Sequence, residues 1–217
     1  MILFAVGDGN HSLASAKAHW ENVKCSLPSS EIETHPARYA LVEVVNVHDD
    51  GLIFEPIHRV VFNISLENIL DEMKRFFSDK GCIFRHIEVP DAVLLFEKAC
   101  SLREGKKGHV LPYVCGSKSG CIIVENPTSN LEVGTLQAFL DKMTTGHPEV
   151  KIDYIHGDDV VQSLGSREGN LGFFLPPMNK HDLFKTVLLD GALPRKTFSM
   201  GEASEKRFYL ECRKIVR

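Results

Sequence analysis

Met1-Ile-Leu-Phe-Ala-Val-Gly-Asp-Gly-Asn-His-Ser-Leu-Ala-Ser-Ala-Lys-Ala-His-Trp20 opens the chain, and the rest is read outward from it. Ile2 to Val6 is an unbroken apolar run, which predicts a buried strand. Gly7-Asp8-Gly9-Asn10 follows as a turn, and Leu13, Ala16, Lys17 and Trp20 recur at helical spacing, so a helix is expected from near His11. A strand, a glycine turn and a helix start aim unpaired backbone N–H groups at one point, where an anion is favoured. Gly7 and Gly9 permit positive φ and close approach of a ligand. Asp8, Asn10, His11 and Ser12 lie where such a ligand would meet the helix. The same residues also fit an ordinary tight turn, with Asn10 as helix N-cap and His11 packing locally. Spacing alone leaves both open.

The remaining composition narrows the class. The chain has 217 residues, 43% hydrophobic and 25% charged, with a net charge of −4. That balance suits a globular chain with a sizeable core and gives no broad basic face for nucleic acid. The cysteines, at 25, 82, 100, 115, 121 and 212, form no Cys-x-x-Cys pair, which argues against structural zinc and for reduced thiols in the cytoplasm. No apolar run is long enough for a membrane span.

Along the chain, Arg38 to Val47 is rich in β-branched and aromatic residues and reads as a central strand. His48-Asp49-Asp50-Gly51 then reads as a hairpin turn into Leu52-Ile53-Phe54. Glu55 to Arg59 interrupts, and Val60 to Phe62 continues extended. Ser65 caps a helix to about Phe77, with Leu66, Ile69, Leu70 and Met73 on its buried side. A strand is expected over 82–89, a helix from Asp91 to Arg103, and a hairpin from His109 to Glu125 around Gly116 to Gly120. Helices over 130–143, 158–164 and 179–189 alternate with strands over 150–155 and 171–175, and a final extended stretch is expected over 207–216. Helices alternating with strands, with hairpins mixed in, predict an α/β to α+β fold. It has a mixed β-sheet and flanking helices, as a single domain over 1–217 or as lobes 1–63 and 64–217.

Three polar stretches could carry chemistry: the opening turn, Pro56-Ile57-His58-Arg59 and Pro194-Arg195-Lys196-Thr197. The last two supply cationic donors suited to phosphate oxygens. Asp8 adds a carboxylate able to act as base or metal ligand. The plainer alternatives are a strand edge with solvated or carboxylate-paired side chains at His58-Arg59 and an exposed turn at Arg195-Lys196. Asp158, in His156-Gly-Asp158-Asp159, fits a helix N-cap better than a metal cluster.

A family resemblance rests on four segments in order. Asp8-Gly-Asn-His-Ser-Leu-Ala14 resembles the Asp-Gly-His-His-Arg-x-x-Ala signature of the bacterial and archaeal domain-of-unknown-function family numbered 1015. Gly51-Leu-Ile-Phe-Glu-Pro-Ile-His-Arg59 is similar to its Gly-Leu-x-x-x-Pro-x-His-Arg segment. Phe173 to Pro177 and Leu193 to Thr197 resemble its Leu-x-Pro-Pro and Met-Pro-x-Lys-Ser-Thr segments. Ser12 stands where the family has arginine. Members carry a long segment before the Asp-Gly strand, so the resemblance implies the C-terminal part of the family's domain. The Asp-Gly-x-His turn is also similar to ParB and sulfiredoxin-like domains, whose corresponding loop binds nucleotide phosphates.

Two functions follow as expectations. In the first, a nucleotide- or phosphometabolite-binding enzyme is a small-molecule phosphotransferase or nucleotide hydrolase. Gly7, Gly9, Asn10 and Ser12 with Arg59, Arg195 and Lys196 would hold phosphate. Asp8, His11 and His58 would be catalytic, and Asp8 would orient Mg²⁺ arriving with a nucleotide. In the second, a non-catalytic regulatory module keeps the phosphate cradle. A ParB-like DNA-binding role is disfavoured by the acidic balance.

Overall fold

The computed structural model describes residues 2–90, 92–104, 108–201 and 213–216. They fall into two compact units, Met1–Ile53 with Met200–Arg217, and Phe54–Ser199. The class is α+β, the second of the two classes expected.

In the first unit, helix α1 (Asn10–Lys24) forms where the spacing places it. Its N-cap is Gly9, left-handed at φ 75° and ψ 17°, rather than the expected Asn10, which is already the first helical residue. No side chain caps the helix; Asp8 Oδ1 instead accepts from the Gly9 N–H at 2.7 Å. The short helix α2 (Ser29–Ile32) and a 3₁₀ turn at Pro36–Arg38 follow. His35 Nδ1 accepts from the Ala37 N–H to cap that turn, and its ring stacks on Trp20.

Two expected strands of this unit are absent. Ile2 to Val6 and Arg38 to Val47 have no strand structure, and Leu3, Phe4, Leu41 and Val44 are more than 60% exposed. Their composition suits a sheet, but β-propensity expresses packing against neighbours rather than a backbone preference. The turn after them does form, with Asp49 N–H bonded to Asn46 O and Leu52 N–H to Asp49 O. Among the described residues it joins no hairpin.

The second unit is a six-stranded sheet between two layers of helices. In chain order its elements are β1 (Phe54–Pro56), β2 (His58–Phe62), α3 (Leu66–Asp79), β3 (Ile83–Glu88) and α4 (Leu95–Arg103). Next come β4 (Gly108–Cys115), β5 (Lys118–Glu125), α5 (Glu132–Gly146), β6 (Lys151–Ile155) and α6 (Asp158–Gly165). The last are β7 (Asn170–Phe173), α7 (Leu183–Asp190) and β8 (Phe198–Met200). The sheet order is β3-β5-β4-β7-β2-β6, with antiparallel neighbours throughout. β1 and β8 make a separate ribbon, in which Phe54 stacks on Phe198 at 4.0 Å. Glu55 and Pro56 thus belong to a strand instead of interrupting one.

Both sheet faces are covered, which is why Cys121-Ile-Ile-Val124 reads as a continuous apolar run. Successive side chains point to opposite faces. Val61, Leu111, Ile122 and Val124 pack with Ile69 and Met73 of α3 and Leu136 and Leu140 of α5. Val60, Val110, Cys121 and Ile123 pack with Leu95 and Ala99 of α4 and Val161 of α6. Ser65 caps α3 as expected, its Oγ accepting from Asn68 N–H. The hairpin β4–β5 also forms as expected, turning tightly at Gly116-Ser117. Asp91, the expected cap of α4, and residues 202–212 of the expected final stretch lie outside the described residues; 213–216 have no regular structure.

Helix α6 lies unusually near the sheet. A Cβ on Gly172 of β7 would stand 2.8 Å from Val161 Cγ1, and one on Gly165 would stand 2.8 Å from the Gly172 N–H nitrogen. Only glycine at both positions permits this approach.

Candidate functional site

The second unit holds the built site, and it starts from the alternation of β2. His58 and Arg59, adjacent in sequence, project from opposite faces of the sheet. Arg59 is on the α5 side and fully buried, in register with Tyr154 of β6 and Phe173 of β7. Its Nε donates to Gln137 Oε1 at 3.0 Å. NH1 donates to Ile57 O at 2.6 Å and His58 O at 3.3 Å, and NH2 to Arg195 O at 3.1 Å and Lys196 O at 3.0 Å. A guanidinium has five N–H donors, and all five are used here inside the protein. The group also lies 4.5 Å over the Tyr154 ring. Every hydrogen-bond acceptor is neutral, and burial pulls the Arg59 pKa down to about 10, with Tyr154 opposing and Arg195 adding to the fall.

Those last two bonds fix the Arg195-Lys196 turn by its carbonyls. Thr197 Oγ1 tightens it by donating to Pro194 O at 2.6 Å, and Lys196 takes a left-handed φ of 55°. The side chains of Arg195 and Lys196 are thereby left exposed. Upstream, Asp190 at the end of α7 accepts from the Asn130 N–H at 2.9 Å, so the chain leaving α7 is held beside the start of α5.

An open cavity of about 580 Å³ lies between that segment and α5. Gly134, Gln137, Ala138 and Asp141 line it from one face of the helix, and Ala192, Pro194 and Arg195 line it from the other side. Gln137, 3% exposed, relays the interior to this wall. It accepts from Arg59, and its Nε2 donates to Asp141 Oδ1 at 2.8 Å. Arg195 NH2 donates to the same Oδ1 at 2.9 Å, and its guanidinium lies 5.7 Å from the Tyr154 ring centre.

His58 faces α6. Leu175 N–H donates to its Nδ1 at 3.0 Å, which places the ring proton on Nε2, and Nε2 donates to Asp158 Oδ1 at 2.8 Å. Burial holds the imidazole pKa below its ordinary value, against the pull of Asp158 and with help from Arg59 and His156. Asp158 does not cap α6 as expected; Gly157 occupies that position and Asp158 serves His58 instead.

The opening turn belongs to the first unit. Gly7, Asp8, Gly9, Asn10, His11 and Ser12 are all exposed. Leu13 N–H closes the first helical bond to Gly9 O, so the amides of Asn10, His11 and Ser12 precede the helical ladder. Among the described residues no group of three or more His, Cys, Asp or Glu side chains could hold a metal ion. Nor is any described helix long and apolar enough to cross a membrane.

Gln137, Asp141 and Tyr154 did not emerge from the sequence as site residues, and Asp158 did so only as a metal-cluster candidate set below a helix cap. A signal existed for Gln137, a polar side chain among Leu136, Phe139 and Leu140 on the buried side of α5.

This α+β arrangement is similar to that of two solved structures, both of a free serine kinase mutant. The complex with AMP superposes with a TM-score of 0.52 at 17% identity, covering 73% of this chain and 58% of that one. The complex with ADP gives 0.52 at 18% identity, with the same coverage. The chain thus spans 58% of the length of the structures it resembles. No curated protein matches it. By sequence, the chain belongs to the family described as "Protein of unknown function (DUF1015)", whose model matches residues 2–143. Neither comparison supports the resemblance to ParB and sulfiredoxin-like domains.

Proposed function

We propose that this chain binds a nucleotide or phosphorylated metabolite and serves as a small-molecule phosphotransferase. The observation that carries the reading is the fully buried Arg59 holding the Arg195-Lys196 turn so that Arg195 lines an open cavity, with the exposed Lys196 next to it in the chain. The fold likeness to a kinase solved with AMP and with ADP supports it. Arg195 and Lys196 bind phosphate oxygens. Arg59 positions them and touches no ligand, since its donors are already used. His58 ties α6 to the opposite sheet face.

The turn from Gly7 to Ser12 is proposed as a second phosphate-binding element, through Gly7, Gly9 and the amides of Asn10 and Ser12. Asp8 would supply a carboxylate to Mg²⁺ carried in by a nucleotide, which is held by one or two carboxylates together with the phosphates. In a transfer at this turn, within the first unit alone, the bond from the terminal phosphorus to its bridging oxygen breaks as the acceptor hydroxyl oxygen bonds to phosphorus. The hydroxyl proton passes to Asp8 or His11.

The test is thermal melting and calorimetry with AMP, ADP, ATP and inorganic pyrophosphate, each with Mg²⁺. A ligand at 100 times its Kd stabilises by about 2.7 kcal/mol. A rise in Tm that is lost in R195A/K196A is expected; no shift with any of them overturns the reading. Ser12 in place of an arginine favours a second reading, a regulatory module that binds without transfer. Phosphoryl transfer that falls in D8N with binding retained decides for the enzyme, and binding without transfer decides for the module.

A further inference from the structure

We infer that the α5 side of the cavity is a ribose seat, with Asp141 accepting from the sugar's vicinal hydroxyls while Arg195 takes the phosphate. The inference rests on the nucleotide reading above and names the half of the ligand that reading leaves open.

The cavity wall has two features that a site for a bare anion would lack. The first is a carboxylate. Asp141 stands on the same wall as the phosphate-binding arginine, where it would repel a simple anion. Both of its hydrogen bonds, from Gln137 and from Arg195, go to Oδ1. Among the described residues Oδ2 has no donor, and the side chain is 54% exposed. Arg195 is the complement: NH2 is spent on Asp141, and Nε and NH1 have no acceptor among the described residues. The wall therefore offers an acceptor and unspent N–H donors side by side. A ligand that carries hydroxyl donors next to an anionic group satisfies both; phosphate or pyrophosphate satisfies only the arginine.

The second feature is the floor. Gly134 and Ala138 lie one turn apart on α5, opposite Ala192 and Pro194. Their carbon atoms give an apolar surface against which a sugar ring can lie. A cavity of about 580 Å³ lies within the range of small-molecule sites. A carboxylate bound to ribose hydroxyls is a recurrent solution in nucleotide sites, because two O–H donors meet one acceptor-only group. Here Gln137 fixes the carboxylate from behind, and Gln137 is itself fixed by buried Arg59.

The test compares ADP, 2′,3′-dideoxy-ADP and pyrophosphate by calorimetry, with Mg²⁺, on the wild-type chain and on D141N. Hydrogen bonds to a charged group predict that wild-type protein binds ADP about tenfold or more tightly than the dideoxy analogue. D141N erases that ratio, while the dideoxy analogue and pyrophosphate bind at least as tightly as to wild type, because the carboxylate that repels an anion is gone. A structural role for Asp141 would instead weaken all three ligands in parallel, and that result overturns the inference. Equal affinity of wild-type protein for ADP and its dideoxy analogue overturns it too, without any variant, and leaves the phosphate reading standing. Failure of all three ligands to bind the wild-type chain overturns both.

Discussion

Replacing Arg59 separates what the buried guanidinium costs from what it organises. Keeping its charge inside is unfavourable: with the pKa drawn down to about 10, the shortfall is about 3 kcal/mol at 1.36 kcal/mol per pH unit. Five hydrogen bonds offset that cost. Arg59→Met keeps an unbranched apolar stem, relieves the charge penalty and leaves five acceptors without a donor. The Arg195 and Lys196 carbonyls lie in an exposed turn and can turn to water, whereas the carbonyl of Ile57, a residue 2% exposed, stays inside. Gln137 Oε1, on a residue 3% exposed, is orphaned beside it. Each such orphan costs about 1–3 kcal/mol, so against the charge relief R59M is expected within about 3 kcal/mol of wild type. Arg59→Lys keeps the charge but has three donors instead of five and no planar fork, so it loses bonds and gains no relief. R59K is therefore expected to be less stable than R59M, by roughly 2 kcal/mol. Urea unfolding followed by far-UV circular dichroism measures both. Pyrophosphate affinity, read by calorimetry, falls about tenfold or more in each variant, because the Arg195-Lys196 turn loses its anchor. R59K more stable than R59M, or R59M binding pyrophosphate like wild type, refutes the reasoning.

Lys196→Gly removes the left-handed strain of a non-glycine residue, worth about 1 kcal/mol. A Tm about 2–4 °C higher is expected alongside weaker pyrophosphate binding, and a lower Tm counts against the strain. Stability also depends on pH through His58, His86 and His109, whose pKa values burial lowers. A histidine with a depressed folded pKa binds fewer protons folded than unfolded. Its contribution is intact above the unfolded value of about 6.5 and is lost as pH falls below it. Urea midpoints should start to drop near pH 6.5, well above the carboxylate range; midpoints flat down to pH 5 would contradict the burial. Gly172→Ala drives a methyl group against Val161, at an expected cost of about 1–3 kcal/mol in urea unfolding. By lifting α6 it also loosens Asp158 from His58, so the His58 Nε2 proton exchanges faster with water in proton NMR; unchanged stability and exchange mean α6 can move freely.

The elements legible in the sequence are those whose signals are local. Helix α3 announces itself through the Ser65 cap and the spacing of Ile69, Met73 and Phe76, all realised within one turn or two. The β4–β5 hairpin needs only its own two strands and a tight turn. Ile2 to Val6 and Arg38 to Val47 have equally good strand composition, but a strand needs a partner to take up its N–H and C=O groups, and composition does not supply one.

The candidate site divides along the same line. His58-Arg59 stood out in the sequence as a basic interruption between apolar strands, and both side chains are indeed engaged and buried. Reading them as one cationic pair ignored the pleat: if His58 meets α6, Arg59 must meet α5. Their partners were beyond local reach. Gln137 is 78 residues from Arg59, and Lys196 is 137 residues away. Nothing near Lys196 reveals that its carbonyl will bind a guanidinium. What the sequence does contain is the imbalance that such contacts resolve, an arginine in an apolar strand and a glutamine on an apolar helix face. Each is costly to bury alone, and together, through Nε–H to Oε1, they form the wall from which Asp141 and Arg195 face the cavity.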